Sequence, residues 1–344
     1  MPLYNGSMDI SLLTEFPADW AGEWNALLER SAIHVPFLRH EYQQTWWQTR
    51  GGGEWQQAAL AVVAARRASQ LVGIAPLFHA IHQGQPILML LGSIEISDNL
   101  DLICQPQDLP EFTRALLDFL PRAQLPHWDR LSLFNILDSS PTLPALAAAA
   151  QTAGWSYSAQ ALSHSPYIPL PADWEAYLAG IDKKQRHEVR RKMRRLEESG
   201  VPSRWYLVRD PDTLEDEITA FMDLMLQDEE KRDFLTPAMR EMMAAGMRCA
   251  FSAGCLHLAF LEIDGKKAAA YYSFDYLNRL WVYNSGFSRE FMGYSPGWVL
   301  VSYLIRWAIE NGRETFDFMR GDEQYKYRLG AVDRFVMRAD LLPG

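Results

Sequence analysis

The stretch FDFMRGDEQYKYRLG, Phe316–Gly330, joins two kinds of sequence that seldom adjoin. Phe316 and Phe318 alternate as in a buried strand, yet Asp317 stands between them. Gly321 breaks the pattern, and Asp322, Glu323, Tyr325, Lys326, Tyr327 and Arg328 follow at once. A surface turn has no need of that much aromatic surface, and a core has no place for that many charges. We read a core strand followed by one wall of a cleft. Gly321 and Asp322 are expected to form the turn and N-cap of a short helix ending near Gly330. On such a helix Tyr325 and Leu329 face the core, while Lys326, about 100° further round, points to the cleft.

Immediately upstream, Pro296 to Asn311 reads as a helix. Ser295 suits its N-cap, Pro296 its first position, and Asn311-Gly312 its end. Ser302, Arg306 and Glu310 make one polar row among apolar neighbours, so the helix should lie mostly within the protein. The loop before it, SREFMGYSPG, follows the strand LWVYNSGF and carries Gly293 and Gly297. A buried helix start offers unpaired N–H groups and a positive dipole end, and glycines let phosphates approach them. Gly293, Ser295, Gly297 and Trp298 are thus the candidate residues for a phosphate-bearing ligand, with ordinary capping as the alternative.

Further outward, one order of elements occurs twice. In the second half a strand (WYLV), helices 214–230 and 237–252, and three strands (CLHLAFLEI, KAAAYYSFDY, LWVYNSGF) precede the helix and TFDFM. Two-residue turns are expected at Asp264-Gly265 and Leu277-Asn278. In the first half a strand (9–13), helices 20–30 and 36–49, strands AALAVVAARR, LVGIAPLFHA and PILMLLGS, a helix (111–120) and RLSLFNI follow the same plan. This repetition predicts two α/β domains, 1–164 and 165–344, each a mixed, mostly antiparallel sheet flanked by helices. The boundary falls in the proline-rich SHSPYIPLPADW.

The 344 residues are 48% hydrophobic, with 12 Trp, 14 Tyr and 16 Phe, enough for two cores and against disorder. No apolar run reaches the roughly 18 residues of a membrane span, and the N-terminus, where Met8 is an alternative start, has no leader pattern. A cytoplasmic location is expected. Three scattered cysteines exclude a disulfide framework, and His79 and His82 have no carboxylate partner, so no metal is expected. The net charge of −10 argues against a DNA-binding role. Within it, KKQRHEVRRKMRR (Lys183–Arg195) holds eight basic residues and one acid, Glu188. Val189, Met193 and Leu196 give this basic helix, spanning 182–199, an apolar stripe. Its charges are either a solvated face or a docking surface for a phosphate-bearing or anionic partner.

The strand pair, glycine loop, central helix, and strand with a charged sequel resemble the GNAT acyltransferase superfamily. GDEQYKYRLG after FDF, with the Arg/Lys-rich helix ending LEESG, is similar to the CelD/BcsL-type (BioF2-like) acetyltransferases, which in turn resemble FemAB-type peptidyltransferases with tandem GNAT folds. The resemblance implies transfer of an acyl or aminoacyl group from a thioester or ester, foremost acetyl-CoA or another acyl-CoA, to an amine or hydroxyl of a glycan, peptidoglycan precursor or small molecule. No permanent cofactor is implied. Arg289, Gly293 and Gly297 stand four apart, wider than the superfamily's pyrophosphate loop, so acyl carrier protein or aminoacyl-tRNA donors stay open. The reaction needs a base, an oxyanion donor and an acid. Asp317 is read as base or amine-orienting group, against a buried carboxylate paired with Arg320 or Lys326. Lys326 is read as a phosphate or oxyanion partner and Tyr325 as cleft lining. The resemblance adds Asp98, in GSIEISDNLD, as an acid facing the cleft, against a turn-forming role. Two other readings remain: a degenerate, non-catalytic GNAT pair binding a phosphorylated ligand or partner, and a membrane-surface or RNA adaptor acting through the basic helix.

Overall fold

A computed structural model of the protein describes residues 8–344. The segment 1–7, read above as lacking a leader pattern, lies outside the described residues. The chain divides into two compact units, one of residues 8–163 with 334–344, the other of 164–333.

The first unit begins with β1 (Asp9–Leu13), α1 (Ala21–Leu28) and α2 (His40–Gln48). The strands expected at 58–67 and 71–80 are each split in two: β2 (Ala59–Leu60) and β3 (Val62–Arg67), then β4 (Gln70–Ala75) and β5 (Leu77–His82). Pro76, which has no N–H for a ladder, marks one of the breaks. The halves belong to different sheets, β1-β3-β4-β7 on one side and β2-β5-β6-β8 on the other. Here β6 is Gln85–Leu90, β7 Ile103–Cys104 and β8 Arg130–Leu137, with α3 (Leu109–Phe119) crossing between β6 and β8, which pair in parallel. Then come α4 (Thr142–Ala153) and β9 (Ser156–His164). Trp24, Phe37, Trp46, Phe78 and Phe112 are fully buried in this core.

The second unit runs β10 (Tyr167–Pro169), α5 (Trp174–Gly180), α6 (Lys183–Glu197), β11 (Ser203–Leu207), α7 (Leu214–Met225), α8 (Glu229–Phe234) and α9 (Pro237–Ser252). It continues with β12 (Leu256–Ile263), β13 (Lys266–Tyr276), β14 (Arg279–Phe287), α10 (Pro296–Glu310), β15 (Thr315–Asp317) and α11 (Gln324–Arg328). The sheet order is β10-β15-β14-β13-β12-β11. β12, β13 and β14 form an antiparallel meander whose turns sit at Asp264-Gly265 and Leu277-Asn278, all four residues at positive φ as such tight hairpins require. β15 returns parallel to β14 after the α10 crossover, repeating the β6-α3-β8 arrangement of the first unit. On α10, Val299, Leu300, Val301, Leu304, Ile305 and Ala308 are all buried against this sheet. On α6 the expected stripe of Val189, Met193 and Leu196 is buried, and Asp182 caps the helix through the N–H groups of Lys184 and Gln185.

The last strand, β16 (Phe335–Leu342), falls within the span 165–344 assigned to the second domain but was not read as a strand. It lies instead in the first unit, between β8 and β9. Its backbone pairs with β8 from Val336–Leu137 to Leu341–Leu131. The helix expected over 214–230 is also interrupted, since α7 stops at Met225 and Asp228 caps a new helix, α8. Among the described residues no helix is long and apolar enough to cross a membrane.

Candidate functional site

β14 is nine residues long, but only Arg279, Leu280 and Trp281 pair with β15. Ser288 donates to Ala268 on the β13 side. Alternation along an antiparallel strand therefore turns the backbone groups of Ser285 and Phe287 toward the side that β15 has left. This open edge meets the start of α10. Pro296 has no N–H, and the first bond back into the helix runs from Val299 N–H to Ser295 O at 3.1 Å. The N–H groups of Gly297 and Trp298 consequently have no acceptor within their own helix.

A cavity of about 560 Å³ occupies this corner. Ser285, Phe287, Ser295, Gly297, Trp298 and Val301 form the β14 and α10 sides, and Tyr271, Tyr325 and Glu323 close it. Two lysines enter it, Lys192 from α6 and Lys231 from α8. The Lys192 ammonium lies 4.2 Å above the Trp298 ring and 3.6 Å from Glu188. Burial pushes its pKa down, with Glu188 opposing. Lys231 donates to Ser285 O at 2.5 Å, and burial lowers its pKa as well. Burial raises the phenol pKa of Tyr271 and Tyr325, so both hydroxyls stay protonated at neutral pH. Tyr271 Oη reaches Gly297 O at 3.4 Å. A second cavity of about 460 Å³ shares Asp228, Glu230, Lys231, Ser285, Phe287 and Met292 with the first and extends to Arg289.

The structure corrects several expectations. Lys326 does not point into a cleft: its side chain is 3% exposed, with Nζ donating to Arg320 O (2.8 Å) and Gly321 O (3.1 Å) and paired with Glu323 at 2.8 Å. The N-cap position of α11 is Glu323 rather than Asp322. Asp317 is fully buried and accepts from Met319 N–H at 3.0 Å, holding the turn after β15 rather than facing the cavity. Gly321, at φ 113°, leaves room for the Lys326 ammonium, which a Cβ would meet at 2.9 Å. Tyr325 does line the cavity, its ring edge-on to Phe318.

Ser295 lies at the α10 N-cap but at φ 54°, and its side chain makes no capping bond. Gly297 is demanded by packing, since a Cβ there would lie 2.6 Å from the Phe287 ring. Gly293 has open space around it and is not part of either wall. Arg289 reaches the second cavity, two-thirds exposed at 66% and 3.4 Å from Glu229. Asp98 belongs to the first unit, 8% exposed.

Lys192, Lys231, Glu323 and Tyr271 line the cavity but were not among the candidate residues read from the sequence. Lys192 was hidden in the charge run, although its place beside Met193, at the border of the buried stripe, separates it from the outer face. Lys231 was hidden by the continuous helix read across 214–230; Asp228 as a cap was the available signal.

Residues 183–327 match the family model described as an acetyltransferase (GNAT) domain. No curated protein matches the chain in sequence. Among solved structures, the crystal structure of FemX superposes with a TM-score of 0.68 at 10% identity, over 96% of this chain and 96% of that one. A conserved protein of unknown function from Bacteroides thetaiotaomicron gives 0.63 at 13% identity, over 97% and 100%. The C-terminal domain of a putative lysylphosphatidylglycerol synthetase from Agrobacterium fabrum gives 0.56 at 12%, over 94% and 91%. These likenesses are of fold. The chain has a mixed α/β architecture with mostly antiparallel sheets flanked by helices, and its matched segment supports a transferase of GNAT type.

Proposed function

We propose that the protein transfers an acyl group from an acyl-CoA thioester to an amine or hydroxyl of an envelope glycan, a peptidoglycan precursor or a small metabolite, as the CelD/BcsL type would. The observation that carries this reading is the open edge of β14 meeting the start of α10 over a cavity of about 560 Å³. A donor's amide chain can continue the sheet at Ser285 and Phe287. Its phosphates would meet the N–H groups of Gly297 and Trp298, with Lys192 supplying charge. Attack by the acceptor on the thioester carbon forms the new bond and breaks C–S. Glu323 takes the acceptor's proton, and Tyr271 or Tyr325 gives one to the departing thiolate. In this scheme Lys326 positions Glu323, Asp317 braces the turn that carries it, and Asp98 has no assigned step.

The outer face of α6, with His187, Arg190, Arg191, Arg194 and Arg195, would accept the acidic surface of an acyl carrier protein if the thioester arrives on one. A CoA thioester and three reduced cysteines suit a cytoplasmic reaction. The test is calorimetry and thermal shift with acetyl-CoA, longer acyl-CoAs and UDP-sugars. Stabilisation by CoA thioesters, weakened in Lys192→Gln, is expected; a response to UDP-sugars alone would leave a binding module.

A further inference from the structure

Lys231 is the one lysine in the wall common to the two cavities. Asp228 restarts the helix there, its carboxylate accepting from Glu230 N–H (3.0 Å) and Lys231 N–H (3.5 Å). This sets Lys231 on the first turn of α8 with its amine 2.5 Å from Ser285 O, on the open edge of β14. Building on the proposed donor site, that edge is where the amide chain next to the thioester would lie. An amine held there is within reach of the acyl carbon once the donor displaces it from Ser285 O. Burial lowers its pKa from the ordinary 10.5 despite Asp228 and Glu323 nearby, which enlarges the neutral, nucleophilic fraction.

We propose that Lys231 is a self-acylation site, taking the acyl group of a bound thioester when no acceptor is present. The neutral Nζ attacks the thioester carbonyl, the N–C bond forms and the C–S bond breaks. The proton lost by the amine passes to the thiolate, which leaves as free thiol, and no redox partner is needed. The product is a neutral acyl-lysine lying along β14. It has lost its charge and occupies the edge the next donor needs, so acylation closes the site. Donor use then becomes self-limiting when acceptor runs short.

The experiment incubates the full-length protein with acetyl-CoA and no added acceptor, followed by intact-mass measurement, peptide mapping and parallel calorimetry of acetyl-CoA binding. One acetyl group on Lys231 is expected, rising to saturation, blocked by excess CoA and lost in Lys231→Arg, whose melting temperature is checked alongside. The exposed Lys183, Lys184 and Lys266 should remain unmodified, whereas acetyl phosphate, which needs no site, should label them. Acetyl-CoA binding without acetyl on Lys231, or with acetyl spread over the exposed lysines, overturns self-acylation and leaves the donor site standing. Absence of both binding and acetylation removes the donor reading and this inference together.

Discussion

Gly297→Ala separates the packing role of this glycine from any role in admitting phosphate. The added methyl would stand 2.6, 2.9 and 3.0 Å from Cε1, Cζ and Cδ1 of Phe287. Carbon contacts relax at about 3.6 Å, so the ring must shift by about 1 Å. Phe287 is half-buried and lines both cavities, so the ring has room to move into the donor space. Crowding costs about 1–3 kcal/mol and replacing a helical glycine returns up to about 1 kcal/mol, leaving a net loss of about 1 kcal/mol in urea unfolding. Acetyl-CoA affinity should fall about tenfold in calorimetry, equivalent to about 1.4 kcal/mol. Phe287→Ala in the same chain removes the clash and should restore most of that affinity, with a coupling of about 0.5–3 kcal/mol between the two sites. Unchanged donor binding in Gly297→Ala, or failure of the double variant to recover it, would refute the reasoning.

Lys326→Met leaves two backbone carbonyls and the Glu323 carboxylate without their shared cation. Stability should drop by about 2–4 kcal/mol, with turnover falling alongside the early melt, and a normal melting temperature with full activity would exclude the bracing role. Lys192→Gln should weaken acetyl-CoA binding and flatten its salt dependence while leaving the melt nearly unchanged, as calorimetry at two ionic strengths will tell. Asp101 is fully buried, accepting from Ser140 Oγ, Thr142 Oγ1 and Leu102 N–H, and burial raises its pKa from 3.8 to about 6. The folded state therefore binds the proton more tightly: its stabilisation is full below pH 3.8 and lost as pH rises through about 6. That amounts to on the order of 3 kcal/mol, and urea titrations across this range should show the component in the wild type and lack it in Asp101→Asn. Reversal of Arg191 and Arg195 to Glu should leave the fold intact and abolish capture of an acidic acyl carrier protein in pull-down, while acetyl-CoA binding persists.

The meander β12-β13-β14 and helix α10 were legible because their signals are local: alternation bounded by two-residue turns, and a Pro start with an Asn-Gly end. The charged sequel to β15 was legible as a helix for the same reason. The role of Lys326 was not, because a lysine beside a glycine turn looks identical in sequence whether its ammonium meets solvent or three oxygen acceptors. Gly297 shows only part of its surroundings in the sequence. A glycine at a helix start is consistent with phosphate binding, and only the Phe287 ring, ten residues earlier on β14, reveals the packing demand. The split of the first-unit strands at Pro76 was readable from the missing N–H, but the membership of β16 was not. Phe335–Leu342 carries no sign of which sheet has a vacancy for it.

That last strand sets an order of assembly. The second unit is continuous in sequence, so every strand of its sheet has been synthesised by residue 333. The first unit, though its chain leaves the ribosome earlier, must hold β8 and β9 apart from a final partner until residues 335–342 emerge. Pairing across some 200 residues is slow to form, and unpaired strand edges invite association with other chains in the meantime. The unit translated first is thus the one finished last. A nascent chain halted before β16 should present a folded C-terminal half and a chaperone-dependent N-terminal one, and limited proteolysis of stalled ribosome complexes would reveal that inverted sequence of protection.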